Sequence, residues 1–336
     1  MFSSKIYVAS AIVFILVGLN YHSRHHFMRN ETSGRKLSNS DQQAQIMDNY
    51  NAFEKPKITE DDVIYDHVRN TAPIVNEEYK IIFFQVAKVA SSEWTRFFIR
   101  LNKDPRWCSN KLLHDHKTNG LKYLTDFRKS DAEEMMTNAE WTKAIFVRHP
   151  KPRLLSAFLD KAIRKSSKFK REFCIPYSKK GGDFDDCIEN HEDFGWFLKH
   201  ITTTLSENMH WRLISSRIDE KWWPHINFVG YMENMSDDAK SLLQSIHSNV
   251  SGKSAWDEIG TFGWSDNERK CENTVQSDGE FLAQRDVKHT TSARDKMLMY
   301  YTPYLEKFVE LHYAEDLNSP YFQFDKIQLF EDGVGE

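Results

Sequence analysis

The chain has 336 residues, enough for one large or two small domains, and an aromatic content of 13% supplies a sizeable core. A formal net charge of −4 argues against a general nucleic-acid binder, whose domain is usually basic, and leaves room for a local anion site. The sequence contains neither CxxC nor HExxH, so no metal centre is expected.

At the N-terminus, Ile6 to Leu19 is an almost purely apolar run preceded by Lys5, and with Tyr21 it reaches the short end of what spans a bilayer. It is either a signal anchor or a cleaved signal peptide. The anchor is favoured because Gly18-Leu19-Asn20-Tyr21 offers no cleavage site of the A-x-A type. Residues 22–76 are polar without sustained periodicity and read as a stem. The expected organisation is therefore a short tail (1–5), a transmembrane anchor (6–21), a luminal stem (22–76) and a luminal domain (77–330). N-x-[ST] sequons at Asn30, Asn234 and Asn249 agree with a luminal domain, as does the even set Cys108, Cys174, Cys187 and Cys271. Four cysteines allow three pairings, of which Cys174 with Cys187, the nearest neighbours, is the expected one.

The globular part opens with Ile81, Ile82, Phe83, Phe84 and Val86, a nearly unbroken apolar run expected of a strand covered on both faces. Lys88 follows, then Ala90, Ser91 and Ser92, and then Trp94, Phe97, Phe98 and Leu101 at the spacing of a core-facing helix. Small residues at a helix start expose backbone N–H groups, and the helix dipole adds positive potential there, which suits a phosphate or sulfate group. Lys111 to Met136 is expected to be helical in its second half, with Leu121, Leu124 and Phe127 on one face.

The scheme recurs at Ala144 to Val147. Arg148 stands at the carboxyl end of this second strand, Pro150 and Pro152 favour a helix start, and Ser156 lies on the helix that follows. A guanidinium grips a phosphate bidentately, and a hydroxyl on the helix adds a further bond. Beyond it, Ser166 to Asp186 reads as a loop insertion, Asp193 to Leu205 as a helix, Ile226 to Val229 as a short strand, Ser251 to Gly279 as irregular, and Thr302 to Tyr313 as a late helix. Strands alternating with helices imply a parallel α/β sheet, P-loop-like and flanked by helices, with ligands at the strands' carboxyl ends. Yet GxxxxGK[ST] is absent, which disfavours a nucleotide or sugar kinase, and GxGxxG is absent after either strand, which disfavours a dinucleotide enzyme.

The two loops, AKVASSEW (Ala87 to Trp94) and FVRHPKPRLLSAFLDK (Phe146 to Lys161), resemble those of the Golgi membrane-bound carbohydrate sulfotransferases, in the branch that includes the chondroitin and dermatan 4-O-sulfotransferases. There the loops read like PKVGCTNW and FVRHPFERLLSAYRDK, so this chain departs at Ala87 for proline and at Ala90 for glycine. His210 to Leu243 and His289 to Leu317 are similar to two further stretches of that family. The resemblance implies a sulfotransferase fold, the donor 3′-phosphoadenosine 5′-phosphosulfate, a glycan hydroxyl as acceptor and no metal. It puts Lys88 at the leaving phosphate, Val89, Ala90, Ser91, Ser92, Glu93 and Trp94 along the 5′ loop, and Arg148 with Ser156 on the 3′-phosphate.

A general base is also required, because a sugar hydroxyl holds its proton far above neutral pH. His114 and His116, in LLHDHKT, are the candidates, with Asp115 positioned to orient one of them. Glu93 and His149 compete, His149 more as part of the RHP turn, and His289 is expected near the donor. Trp211, Trp222 and Trp223 read either as sugar platforms or as core. The basic run Arg164, Lys165, Lys168, Lys170 and Arg171 reads either as contacts to an acidic polymer or as a solvated face. A noncatalytic glycan-binding protein of the same fold is the alternative to an enzyme.

Overall fold

The computed structural model describes residues 72–107, 109–113, 115–260 and 291–331. The apolar stretch 6–21, the stem up to residue 71, Asn30, Cys108, His114, Cys271 and His289 lie outside the described residues. Among the described residues no helix is long and apolar enough to cross a membrane.

Five strands form one sheet in the order β3-β1-β2-β4-β5: β1 Ile74–Asn76, β2 Ile81–Phe84, β3 Lys122–Tyr123, β4 Thr142–Val147 and β5 Phe228–Tyr231. The central strands β2, β4 and β5 are parallel, with Phe83 opposite Ala144 and Ile145 opposite Val229. The sheet is nonetheless mixed, since β1 runs antiparallel to both β2 and β3. Ile74–Asn76, which the sequence reading puts at the end of the stem, is thus a buried strand of the sheet. The turn that makes this possible passes through Lys80, whose φ is 46°.

All four side chains of β2 are buried, as its unbroken apolar run predicts. The helix after it, α1 (Ser91–Leu101), lays Trp94, Phe97 and Phe98 onto the sheet. Phe83 and Trp94 have ring centroids 4.6 Å apart, and Trp94 and Phe146 are 4.8 Å apart, so one aromatic cluster ties β2, α1 and β4 together. Gly230 in β5 is required by this packing, because a Cβ there would lie 2.4 Å from the Phe146 ring.

The remaining labelled helices are α2 (Lys129–Thr137), α3 (Pro150–Phe158), α4 (Met235–Ser245) and α5 (Pro303–His312). Leu121, Leu124 and Phe127 do not share a helical face as expected. Leu121 leads into β3, Leu124 opens a single 3-10 turn, and the helix starts only at Lys129. The expected loop at Ser166 to Asp186 is also largely helical, with turns at Ser166–Phe169, Lys170–Cys174 and Ile175–Lys179, and the next helix runs from Phe184 to Asn190. Phe169, Phe173 and Tyr177, spaced four apart, bury one face of it, and a Cys174–Cys187 disulfide closes it. This layer, with α3 and α5, builds a second apolar core containing Leu154, Phe158, Phe197 and Trp211. Trp222 and Trp223 are buried in the sheet's own core, so all three candidate sugar platforms are core residues.

A buried lysine joins α3 to the C-terminal part. The Lys151 ammonium contacts Glu306, the carbonyl of Ile327 and, at 3.0 Å, Glu310. Glu306 also accepts the Leu329 and Phe330 amides at 2.9 and 3.2 Å. These bonds, made with both charges out of water, fix α3 and hence everything mounted on it.

Candidate functional site

Lys88 and Arg148 meet at the carboxyl end of the parallel strands. The loop after β2 turns through two left-handed residues, Lys88 (φ 68°) and Ala90 (φ 52°), before α1 begins. Ala90 is the residue capping α1, with no side-chain cap, and its carbonyl accepts the Glu93 and Trp94 amides at 2.9 and 3.0 Å. Ser91 and Ser92 occupy the first turn, where helix geometry leaves amides without an intrahelical acceptor. Their backbone donors and hydroxyls, together with the positive end of the helix dipole, form an anion cradle.

Two guanidiniums, one part-buried and one fully buried, hold this loop from below. Arg148 Nη1 donates to the Lys88 carbonyl at 3.1 Å, and Arg153 Nε donates to the Ala87 carbonyl at 3.4 Å. Arg153 is fully buried on α3, and its Nη1 reaches the Arg212 carbonyl at 2.8 Å. The second loop therefore shapes the first. Here lies a reason why the first loop keeps its left-handed turn without the family's proline and glycine: two side chains from α3 and its N-terminal approach clamp successive carbonyls.

The Lys88 side chain points along α3's extension. There a π-helical turn at Leu159–Ile163 sets Asp160 with its carboxylate Oδ2 2.8 Å from Lys88 Nζ. Such turns widen a helix locally and often occur at functional sites. Arg164 also contacts Asp160, and Lys161 and Lys165 lie 3.9 and 3.8 Å from it. One carboxylate thus faces four cations. Burial pushes Lys88 down to about 8, opposed by Asp160, while Lys161 and Arg164 push it further down. For Asp160, burial acts upward, but Lys88, Arg164 and Lys161 together hold it well below the usual carboxylate range. Burial likewise lowers Arg148 to about 10, which leaves it charged at neutral pH, with Glu233 nearby acting the other way.

The other residues singled out in the sequence take varied places. Ser156 lies on α3, where its hydroxyl receives a hydrogen bond from Thr291 at 3.1 Å. Val89 and Trp94 are buried in the core and support the loop from beneath. Glu93 is buried 3.4 Å from Arg96. His149 caps α3, its Nδ1 accepting the Lys151 amide at 3.2 Å, and burial with Lys151 pushes it down to about 3. His116 is part-buried with Nδ1 2.8 Å from the Tyr123 hydroxyl. Tyr123 is on β3, two places from β2 in the sheet and so roughly 10 Å across it. Of the basic run, Arg164 and Lys165 join the Asp160 cluster, whereas Lys170 lies over the Phe184 ring and Arg171 is 3.9 Å from Glu172. Among the described residues no group of histidines, cysteines and carboxylates could hold a metal ion.

Sequence reasoning passed over three residues of this site. Asp160 sits one helical turn beyond Ser156 and was legible as its neighbour on the same face. Arg153 gave no signal, because a charge inside an apolar helix reads as exposed. His210 lay inside a family-like stretch without a role: its ring is subject to Lys161, Lys88, Asp160 and Arg153, and its Nδ1 is buried without a hydrogen-bond partner.

A clamped loop with a lysine, a helix N-terminus and an arginine bonded to the loop's backbone is chemically suited to anionic groups. The family model described as "Sulfotransferase family" matches residues 72–252, which span both loops and all five strands. The chain belongs to the sulfotransferase family. Curated relatives of this family member include carbohydrate sulfotransferase 10 of Xenopus laevis, 28% identical over 200 residues that cover 51% of either chain. Carbohydrate sulfotransferase 10 of Homo sapiens is 37% identical over 92 residues, 26% of this chain and 25% of the relative. Carbohydrate sulfotransferase 12 of Mus musculus is 25% identical over 198 residues, 51% of this chain and 47% of the relative. The chain thus spans about half the length, or less, of these relatives. No solved structure matches it.

Proposed function

We propose that this sulfotransferase moves the sulfuryl group of 3′-phosphoadenosine 5′-phosphosulfate to a hydroxyl of a glycan. The observation that carries the reading is the joint between the loops: Arg148 Nη1 on the Lys88 carbonyl, at the uncapped start of α1. Lys88, the Ser91 and Ser92 hydroxyls and their first-turn amides suit the 5′-phosphosulfate, and Arg148 with Ser156 suits the 3′-phosphate. In an in-line displacement negative charge grows on the leaving 5′-phosphate, so a fixed ammonium and fixed dipoles there lower the barrier with little reorganisation. The family's carbohydrate-named relatives support a glycan acceptor, and loops like those of the chondroitin and dermatan branch make a glycosaminoglycan the first polymer to try.

The cellular reading is part of the proposal. Residues 6–21 would anchor the chain as a single-pass type II protein of the Golgi membrane with its domain in the lumen. The Cys174–Cys187 disulfide supports an oxidising compartment, and Asn234 and Asn249 are exposed as glycan acceptors must be. Titration of the protein with adenosine 3′,5′-bisphosphate, followed by transfer of radiolabelled sulfate to a panel of desulfated glycans, tests the reading. Saturable nucleotide binding with labelling of at least one glycan is expected, and no affinity for the bisphosphate would end it. Nucleotide binding without transfer to any acceptor would favour a noncatalytic member of the fold.

A further inference from the structure

The segment from Asn208 to Leu213 is held unusually firmly for a stretch with little regular structure. Trp211 is fully buried, and its Nε1 donates to the Leu205 carbonyl at 2.8 Å. The Tyr313 hydroxyl donates to the Trp211 carbonyl at 2.7 Å, and Asp316 accepts the Ile214 and Ser215 amides at 2.9 and 2.8 Å. Asn208 Oδ1 accepts the His210 amide at 3.0 Å. Arg153, through the Arg212 and Ala87 carbonyls, ties this segment to the Lys88 loop. The backbone that carries His210 is therefore tied to the Lys88 loop by a two-bond bridge through one buried side chain.

The ring has a buried nitrogen, Nδ1, with no hydrogen-bond partner. Burying such a group unpaired is unfavourable, a cost removed when a hydroxyl or sulfuryl oxygen comes within reach of the ring. The charges acting on the ring are those of the site itself: Lys161, Lys88, Asp160 and Arg153. Burial first, then the surrounding cations, holds the imidazole well below its ordinary value, so it starts unprotonated, as a general base must, with Asp160 the one nearby group that favours its protonated form. By contrast, His116 has its Nδ1 committed to the Tyr123 hydroxyl on the sheet's far strand.

We propose that His210 is the general base that accepts the proton of the acceptor hydroxyl. The inference rests on the sulfuryl-transfer reading above. The hydroxyl oxygen donates a lone pair to sulfur, forming the new S–O bond. The bond between sulfur and the bridging 5′-phosphate oxygen breaks, and its electron pair stays on that phosphate beside the Lys88 ammonium. The hydroxyl proton moves to the imidazole, and the Asp160 carboxylate, from which Lys88 turns to the phosphate, stabilises the imidazolium. Atoms and charge balance with no further reactant.

The test uses the full chain with adenosine 3′,5′-bisphosphate as binding probe and radiolabelled donor for transfer. For His210→Gln, kcat is expected to fall by about 10²–10⁴, the usual contribution of a general base, with nucleotide Kd within about threefold of the parent. His210→Ala should be partly rescued by added imidazole, more so at higher pH, which a purely structural role would not produce. The parent's kcat should stay level as pH is lowered through 6.5, the ordinary histidine value, and this measurement serves even if both variants fail to fold. Retention of kcat within about threefold in His210→Gln overturns the assignment, as does parallel loss of nucleotide affinity without imidazole rescue. So does the same loss and rescue at His116 instead, or an acid limb near 6.5. A parent that neither binds the nucleotide nor transfers sulfate fails differently, and takes the functional reading down with the base.

Discussion

Asp160→Asn isolates the electrostatic work of the four-cation cluster. The carboxylate lies 2.8 Å from Lys88 Nζ, and both groups are nearly out of water. Two unit charges about 4 Å apart at an effective dielectric near 20 attract by roughly 4 kcal/mol. Since Asp160 is shared among Lys88, Lys161, Arg164 and Lys165, we assign Lys88 about a third to a half of that, or roughly 1.4–2 kcal/mol, equivalent to about 1–1.5 units. The sign follows from the causes: burial lowers Lys88 to about 8 and Asp160 opposes it, so losing Asp160 lowers it further, and the lysine becomes largely neutral at pH 7.5. The assay is kcat/KM for the donor against pH. The parent should lose activity as pH rises through about 8, and the variant about 1–1.5 units earlier. Near pH 6 the variant should bind adenosine 3′,5′-bisphosphate no more weakly than the parent, because four cations are released from a carboxylate. An alkaline limb that does not move, or moves upward, would refute the reasoning.

Arg148→Ala should weaken bisphosphate binding by about 1.5–3 kcal/mol, the value of a charge-assisted contact, measured by calorimetry, and an unchanged Kd refutes its role. Ala90→Gly removes a left-handed penalty of roughly 1–2 kcal/mol at φ 52° against a glycine entropy cost of about 0.5–1, so thermal unfolding should show a gain of about 0.5–1 kcal/mol. A loss there would mean that the alanine methyl packs productively. Cys174→Ser with Cys187→Ser opens a link between residues 13 apart and should cost about 2–3 kcal/mol in denaturant unfolding, with no cost expected if the helical layer holds without it.

Local chemistry carried much of this protein into view without any structure. Four consecutive apolar residues in β2, the small residues ahead of Trp94 and the Arg148-to-Ser156 strand-loop-helix are all neighbours in the chain, and their spacing reports which face is covered. Adjacent cysteines in sequence also met, because a link between residues 13 apart needs only one helical layer to close. The helical layer itself was misread. Gly181 and Gly182 and many charges suggested a loop, although Phe169, Phe173 and Tyr177 already marked a helical face.

What the tertiary structure alone decided lies across the sheet and between distant segments. Two short strands, Ile74–Asn76 and Lys122–Tyr123, have too few residues to show a period and are strands only because a partner supplies their hydrogen bonds. Arg153 looks like a solvated charge until the Ala87 and Arg212 carbonyls, far apart in sequence, are seen to share it. Likewise only folding sets Asp160, on the turn beyond α3, against Lys88 and ties the segment of His210 to the Lys88 loop through Arg153. A residue's periodicity is set by its neighbours along the chain, whereas its proton affinity and its bonding partners are set by whatever folding brings beside it.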